Sequence, residues 1–191
     1  MTIRNLDALF KPKSVALIGA STRPGSVGAV LARNLFGAGF SGPVMPVNPK
    51  YVAVEGVLAY KDVASLPLAP ELAVIAPPPQ TVPQLIAGLG ARGTRAAVVI
   101  TAGFKEGGNA RGAALQQAML EAAQPHLLRI VGPNCVGIIV PGQGLNASFA
   151  HLAPRRGRLA FVAQSGAVIT SVIDWALPRG VGFSHLVSLG D

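Results

Sequence analysis

Short apolar runs alternate with segments of helical spacing along most of this chain. "SVALIG" (14–19), "PVMPV" (43–47), "ELAVIAP" (71–77), "RAAVVIT" (95–101) and "LLRIVG" (127–132) are continuous and apolar, as strands buried on both faces are. "GVLAY" (56–60) predicts one more short strand, with a turn at "SLP" (65–67). Helices are predicted over "GAVLARNLFGAG" (28–39), "QTVPQLIAGLGARG" (80–93) and "ARGAALQQAMLEAAQ" (110–124). In the first of these, Val30, Leu31, Leu35 and Phe36 recur close to helical spacing. Pro83 falls in the first turn of the second, where its missing N–H costs nothing. Strands alternating with helices predict an α/β fold of βαβ units, a parallel sheet covered on both faces.

The pattern changes after Gly132. "GPNCVGIIVPGQGLNASFAHLAPRRG" has no clear periodicity and many turn residues, and it predicts a connector over 133–157. A second strand–turn–helix unit follows in "RLAFVAQSG" (158–166) and "AVITSVIDWAL" (167–177), and "FSHLVSLGD" begins another strand. The expectation is one complete domain over 1–132 and the beginning of a second, truncated one over 158–191.

A parallel sheet binds ligands beyond the carboxyl ends of its strands, near the switch in strand order. Four such ends carry the residues of interest. The first turn holds Gly19, Ala20, Ser21, Pro24, Gly25, Ser26, Val27 and Gly28. It departs from the dinucleotide fingerprint, yet it opens a helix whose unpaired N–H groups suit phosphate. The second strand ends at Asn48, Pro49, Lys50 and Tyr51. NAD folds place an acid there for the ribose hydroxyls, so Lys50 favours a nucleotide with an extra ribose phosphate, NADP or coenzyme A. The later ends, Ala76, Pro77 and Pro78, then Thr101, Ala102, Gly103, Phe104 and Lys105, predict a walled, mainly apolar slot. Such a slot suits a pantetheine arm at least as well as a nicotinamide ring.

Composition narrows the field. Sixteen Lys and Arg against eight Asp and Glu give a formal charge of +8, but the cations are spread from Arg4 to Arg179. The only dense cluster is "RRGR" (155–158). A basic surface with anion sites and a small phosphorylated ligand is expected rather than nucleic acid. No apolar run approaches the roughly 20 residues that span a bilayer, and "MTIRNLDALFKPKS" has no signal-peptide core, so no membrane partner and a cytoplasmic location are expected. The single cysteine excludes an internal disulfide framework and a cysteine-rich zinc site.

"KSVALIGASTRPGSVG", "PVNPK", "ITAGFKE", "RIVGPNCVG" and "GRLAFVAQSGAV" together carry a resemblance. In this order and rough spacing they are similar to NDP-forming acyl-CoA synthetases, relatives of the succinyl-CoA synthetase α-subunit. "QGLNASF" and "GFSHLVSLGD" also resemble the region ahead of the GNAT domain in Pat-type protein lysine acetyltransferases. The resemblance implies a Rossmann-like CoA-binding domain and the start of a flavodoxin-like domain. It implies CoA or acyl-CoA as ligand and no metal in this part. The partners it implies are further synthetase domains including an ATP-grasp region, or a GNAT domain. Under it, residues 19–28 hold the CoA phosphates, 48–51 lie around the 3′-phosphate, and 76–79 with 101–105 line the path to the thiol. Gln164, Ser165 and Gly166 begin a helix whose N-terminus stabilises a phosphoryl group.

The remaining reactive side chains point away from catalysis within this chain. The synthetases pass phosphate through a histidine, and His126, His151 and His185 do not match its position. Cys135 in "GPNCVG" has no activating base beside it and is expected to be a small packed residue. Ser165 lacks the glycine that a nucleophile elbow needs at position 163. An NADP-binding reductase remains a rival, although no hydride-transfer site is visible.

Overall fold

A computed structural model of the chain describes residues 3–108 and 110–191. The first two positions of the N-terminal stretch read for a leader lie outside the described residues. A one-turn helix, α1 (Leu6–Phe10), precedes β1 (Val15–Ile18), α2 (Val27–Gly37) and β2 (Val44–Val47). A two-residue hairpin, β3 (Ala53–Val54) and β4 (Val57–Leu58), leads to β5 (Leu72–Ile75) and α3 (Val82–Ala91). Then come β6 (Ala96–Val99), α4 (Ala110–Ala123) and β7 (Arg129–Val131). The remaining elements are β8 (Gly137–Val140), β9 (Leu145–Ser148), β10 (Arg156–Ala163), α5 (Gly166–Ala176) and β11 (Phe183–Ser188).

The first sheet runs β2-β1-β5-β6-β7, all parallel, with helices on both faces, as the alternation predicts. β1, β5 and β6 are apolar throughout because each face meets a separate core. Val15 and Leu17 turn toward Leu31 and Leu35 of α2, whereas Ala16 and Ile18 turn toward Ile86 and Leu89 of α3 and Met119 of α4. The strand order reverses between β1 and β5, so the loops after these strands flank the switch point.

The stretch 133–157, expected as a connector, is instead built into the second sheet. β8 and β9 pair antiparallel, and the sheet runs β10-β11-β8-β9. Ile138, Val140, Leu145 and Ala147 of this hairpin enter the same core as Leu31 and Leu35. The hairpin therefore packs the second sheet onto α2. Asn34 fastens the contact: its Nδ2 donates to the carbonyls of Ser148 at 2.8 Å and Ala150 at 2.9 Å. Strands of four residues bounded by Gly and Pro leave too short a run to show alternation, and α1 is too short for a helical period.

Asn34→Ala leaves two carbonyls of buried residues without that donor, at about 1–3 kcal/mol. A urea titration should show that loss with the m-value unchanged; an unaltered midpoint would mean that the two sheets are held by apolar contact alone.

Candidate functional site

Two serine-capped helix starts open onto one cleft. Ser26 caps α2: its Oγ accepts from the Ala29 N–H at 3.3 Å and donates to the Arg23 carbonyl at 2.7 Å. Ser165 caps α5, where its Oγ accepts from the Val168 N–H at 3.5 Å. Val27 from the first helix and Gly166 and Ala167 from the second line a cleft of about 940 Å³. Both starts leave N–H groups and a positive dipole end available for an anion.

The slot walls lie between them. Thr101 donates its Oγ1 proton to the Pro77 carbonyl at 2.7 Å, which ties the loop after β6 to the loop after β5. Ala76, Pro77, Pro78, Thr101 and Ala102 all line the cleft, as do Gln164, Ser165 and Gly166. These residues are brought together as the sequence suggests. Lys105 is exposed and outside the lining, and Gly103 packs against Pro79. Phe104 corrects the expectation that it faces a ligand: its side chain is fully buried in the core shared with α3 and α4. The backbone N–H groups of Gly103 and Phe104 are both taken by the Glu106 carboxylate. That part of the loop is therefore a support for the slot.

Two other expected contacts turn inward. Gly28 is buried, and a Cβ built on it would lie 2.1 Å from the Gly19 carbonyl oxygen. Its missing side chain lets α2 pack closely on the first turn. Ala20 is likewise fully buried. The Asn48 side chain braces protein on both of its ends. Its Nδ2 donates to the Ala20 carbonyl at 2.7 Å and its Oδ1 accepts from the Lys50 N–H at 2.9 Å.

Beyond the cleft, the first turn and the end of β2 form a basic corner. The Tyr51 hydroxyl lies 3.3 Å from Ser21 Oγ, which also accepts from the Arg23 N–H at 3.0 Å. Hydrogen bonds from Ser21 and Thr22, then the charges of Arg23 and Lys50, hold the Tyr51 phenol below the usual tyrosine range. Arg23 and Lys50 thus act on one spot, and both are exposed. Pro24 and Gly25 are exposed on the same loop. Arg23 is the residue that the sequence reading misses. "STRPGS" looks like an ordinary turn, and only the path of the loop brings its cation toward Lys50.

Residues 13–141 match the family of CoA binding domains. The chain belongs to the CoA-binding domain family. Residues 156–191 of this CoA-binding protein match the succinyl-CoA ligase like flavodoxin domain. It is 44% identical, over 97% of the chain, to an ADP-forming acetate–CoA ligase I of Archaeoglobus fulgidus, and spans 27% of that protein. It is 37% identical to the α subunit of the ADP-forming acetate–CoA ligase I of Pyrococcus furiosus, covering 98% of the chain and 41% of the subunit. A solved structure of the Ca. Korarchaeum cryptofilum dinucleotide-forming acetyl-coenzyme A synthetase 1, in complex with phosphate and ADP, superposes with a TM-score of 0.91 at 35% identity. That likeness covers 97% of the CoA-binding chain and 39% of the synthetase. The chain thus spans between a quarter and two-fifths of these relatives.

The other reactive groups of this CoA-binding protein sit apart from the cleft or are muted within it. His151 pairs with Asp174 at 2.9 Å, and His185 packs edge-on against Phe10 at 5.2 Å. His126 lies over Gly90. No group of three or more metal-ligating side chains occurs among the described residues, and none of their helices is long and apolar enough to cross a membrane. Cys135 lines the cleft, but burial pushes its thiol up to about 12, and the thiol donates to the Val99 carbonyl at 3.3 Å. At pH 8 the folded protein should therefore react with a thiol-selective disulfide reagent far more slowly than the unfolded chain. Equal rates would contradict the buried, protonated state of Cys135.

Proposed function

We propose that the chain binds CoA and acyl-CoA as the N-terminal part of an ADP-forming acid–CoA ligase. The overall reaction would be acyl-CoA + NDP + phosphate = acid + CoA + NTP. One observation carries this reading: a single cleft joins a helix start, an uncharged slot and a second helix start, with two cations beyond its nucleotide end. CoA has that order of groups. Its 3′-phosphate would meet Arg23 and Lys50, and its pyrophosphate would meet the N–H groups after Ser26. The pantetheine arm would lie between Pro77–Pro78 and Thr101–Ala102.

The thiol then reaches the start of α5. The N–H groups there favour a phosphoryl or carboxylate oxygen over a neutral one. The acyl group and the phosphate exchanged for CoA would meet at this point. The second nucleotide, and the histidine expected to carry phosphate, belong in this reading to other parts of a larger protein. The Pat-type alternative would use the same cleft to sense acyl-CoA, and the NADP reading gives no role to the α5 start. The division into a first unit over 1–132 and a second beginning at 158 belongs to the same proposal. The hairpin of β8 and β9 supports counting part of the intervening stretch with the second unit.

Lys50→Ala and Arg23→Ala, titrated calorimetrically with CoA and dephospho-CoA, test the assignment. A charge-assisted contact is worth about 1.5–3 kcal/mol before solvent and salt reduce it. Each substitution should weaken CoA about ten-fold and dephospho-CoA much less, with the difference shrinking as salt rises. Equal losses for both ligands would refute the 3′-phosphate role.

A further inference from the structure

The basic corner joins two mobile charges to one fixed hydroxyl. Arg23 and Lys50 are exposed, and both side chains are long and flexible. Tyr51 is held. Its half-buried ring packs against the core that contains Leu31 and Leu35. Its N–H donates to the Asn48 carbonyl at 3.5 Å, and the Asn48 side chain is braced between Ala20 and Lys50. Its hydroxyl reaches across to the first turn, 3.3 Å from Ser21 Oγ. Ser21 Oγ accepts the Arg23 N–H at 3.0 Å and keeps its own proton to give to the Tyr51 oxygen. The phenolic proton is then left for an acceptor outside the protein. Hydrogen bonds from Ser21 and Thr22, and the charges of Arg23 and Lys50, lower the pKa of the phenol and make it a stronger donor.

We infer that Tyr51 sets the position on the ribose at which this corner accepts a phosphate: its fixed hydroxyl donates to a phosphate on the 3′ oxygen and not to one on the 2′ oxygen, while Arg23 and Lys50 attract either. The inference rests on the proposed CoA reading, which brings the ribose to this corner. The two positions are one ring carbon apart, and the two isomers carry the same charge. A flexible cation in solvent follows a phosphate over that distance, and its attraction changes slowly with separation. A hydrogen bond does not: it weakens steeply once distance and angle leave their narrow range. Position is therefore read by the group that cannot move. The tie to Ser21 holds that group against the turn bearing Arg23, so hydroxyl and cation address one phosphate.

Calorimetric titration of the chain with CoA, its isomer phosphorylated on the 2′ oxygen, and dephospho-CoA reads the selectivity. CoA should bind about ten-fold more tightly than the 2′ isomer, the scale of one hydrogen bond to a charged group in a solvated site. Tyr51→Phe keeps the ring in its packing and removes only the hydroxyl. In that variant the ratio should fall to about three-fold or less, with dephospho-CoA binding as in the unaltered chain. CoA binding with equal affinities for the two isomers, a preference for the 2′ isomer, or a ratio unmoved by Tyr51→Phe would overturn the inference and leave CoA binding standing. So would an equal loss for all three ligands in Tyr51→Phe, the mark of a merely structural role. Absence of CoA binding would overturn both readings.

Discussion

One short segment holds the cleft together. Between Gly132 and Val136 the chain crosses from the first sheet to the second and hydrogen-bonds to both. The Asn134 N–H donates to the Thr101 carbonyl at the end of β6, at 3.0 Å. The Gly132 N–H donates to the Leu189 carbonyl beyond β11, also at 3.0 Å, and the Val136 N–H to Ser188 Oγ at 3.1 Å. These bonds bring the carboxyl ends of the two sheets to one place. Two helix starts thereby open onto one cleft, which in the proposed reading makes them two ends of one site. Alone, either would be unselective; together with the slot they would favour a long ligand with anionic groups toward its ends.

Charge is partitioned along that line. In the proposed reading the cations stand at the nucleotide end on an exposed corner, where they would attract and orient a phosphate while solvent screens them. The middle and far parts of the cleft rely on backbone N–H groups and apolar walls. A neutral pantetheine arm and a short acyl chain cost little to place there, and neither calls for a buried cation. Cys135 is buried and protonated in the same wall.

Much of the fold is legible from hydrophobic runs, because β1, β5 and β6 are apolar on both faces and α3 and α4 show where the cover lies. The hairpin of β8 and β9 is not. Its strands are four residues long and interrupted by turn residues, and their burial comes from packing on α2, which is distant in sequence. The cleft is legible where strand ends and helix starts build it, as at Pro77, Thr101 and Ser165, which line it. It is not legible where side-chain direction decides. Phe104 and Gly28 look accessible in a loop and at a helix start, yet the first is core and the second touches the Gly19 carbonyl. Arg23 carries no periodic signal at all. Asn48 has the right position, but both ends of its side chain are used to shape the turn.

The direct test of the account is a crystal structure of the chain grown with CoA. Continuous density should run from a 3′-phosphate beside Arg23 and Lys50, past the N–H groups after Ser26 and through the slot at Pro77 and Thr101. The thiol should end at the start of α5. Density with the adenosine at the α5 end, or CoA bound outside the cleft, would contradict the central claim that the two helix starts serve one ligand.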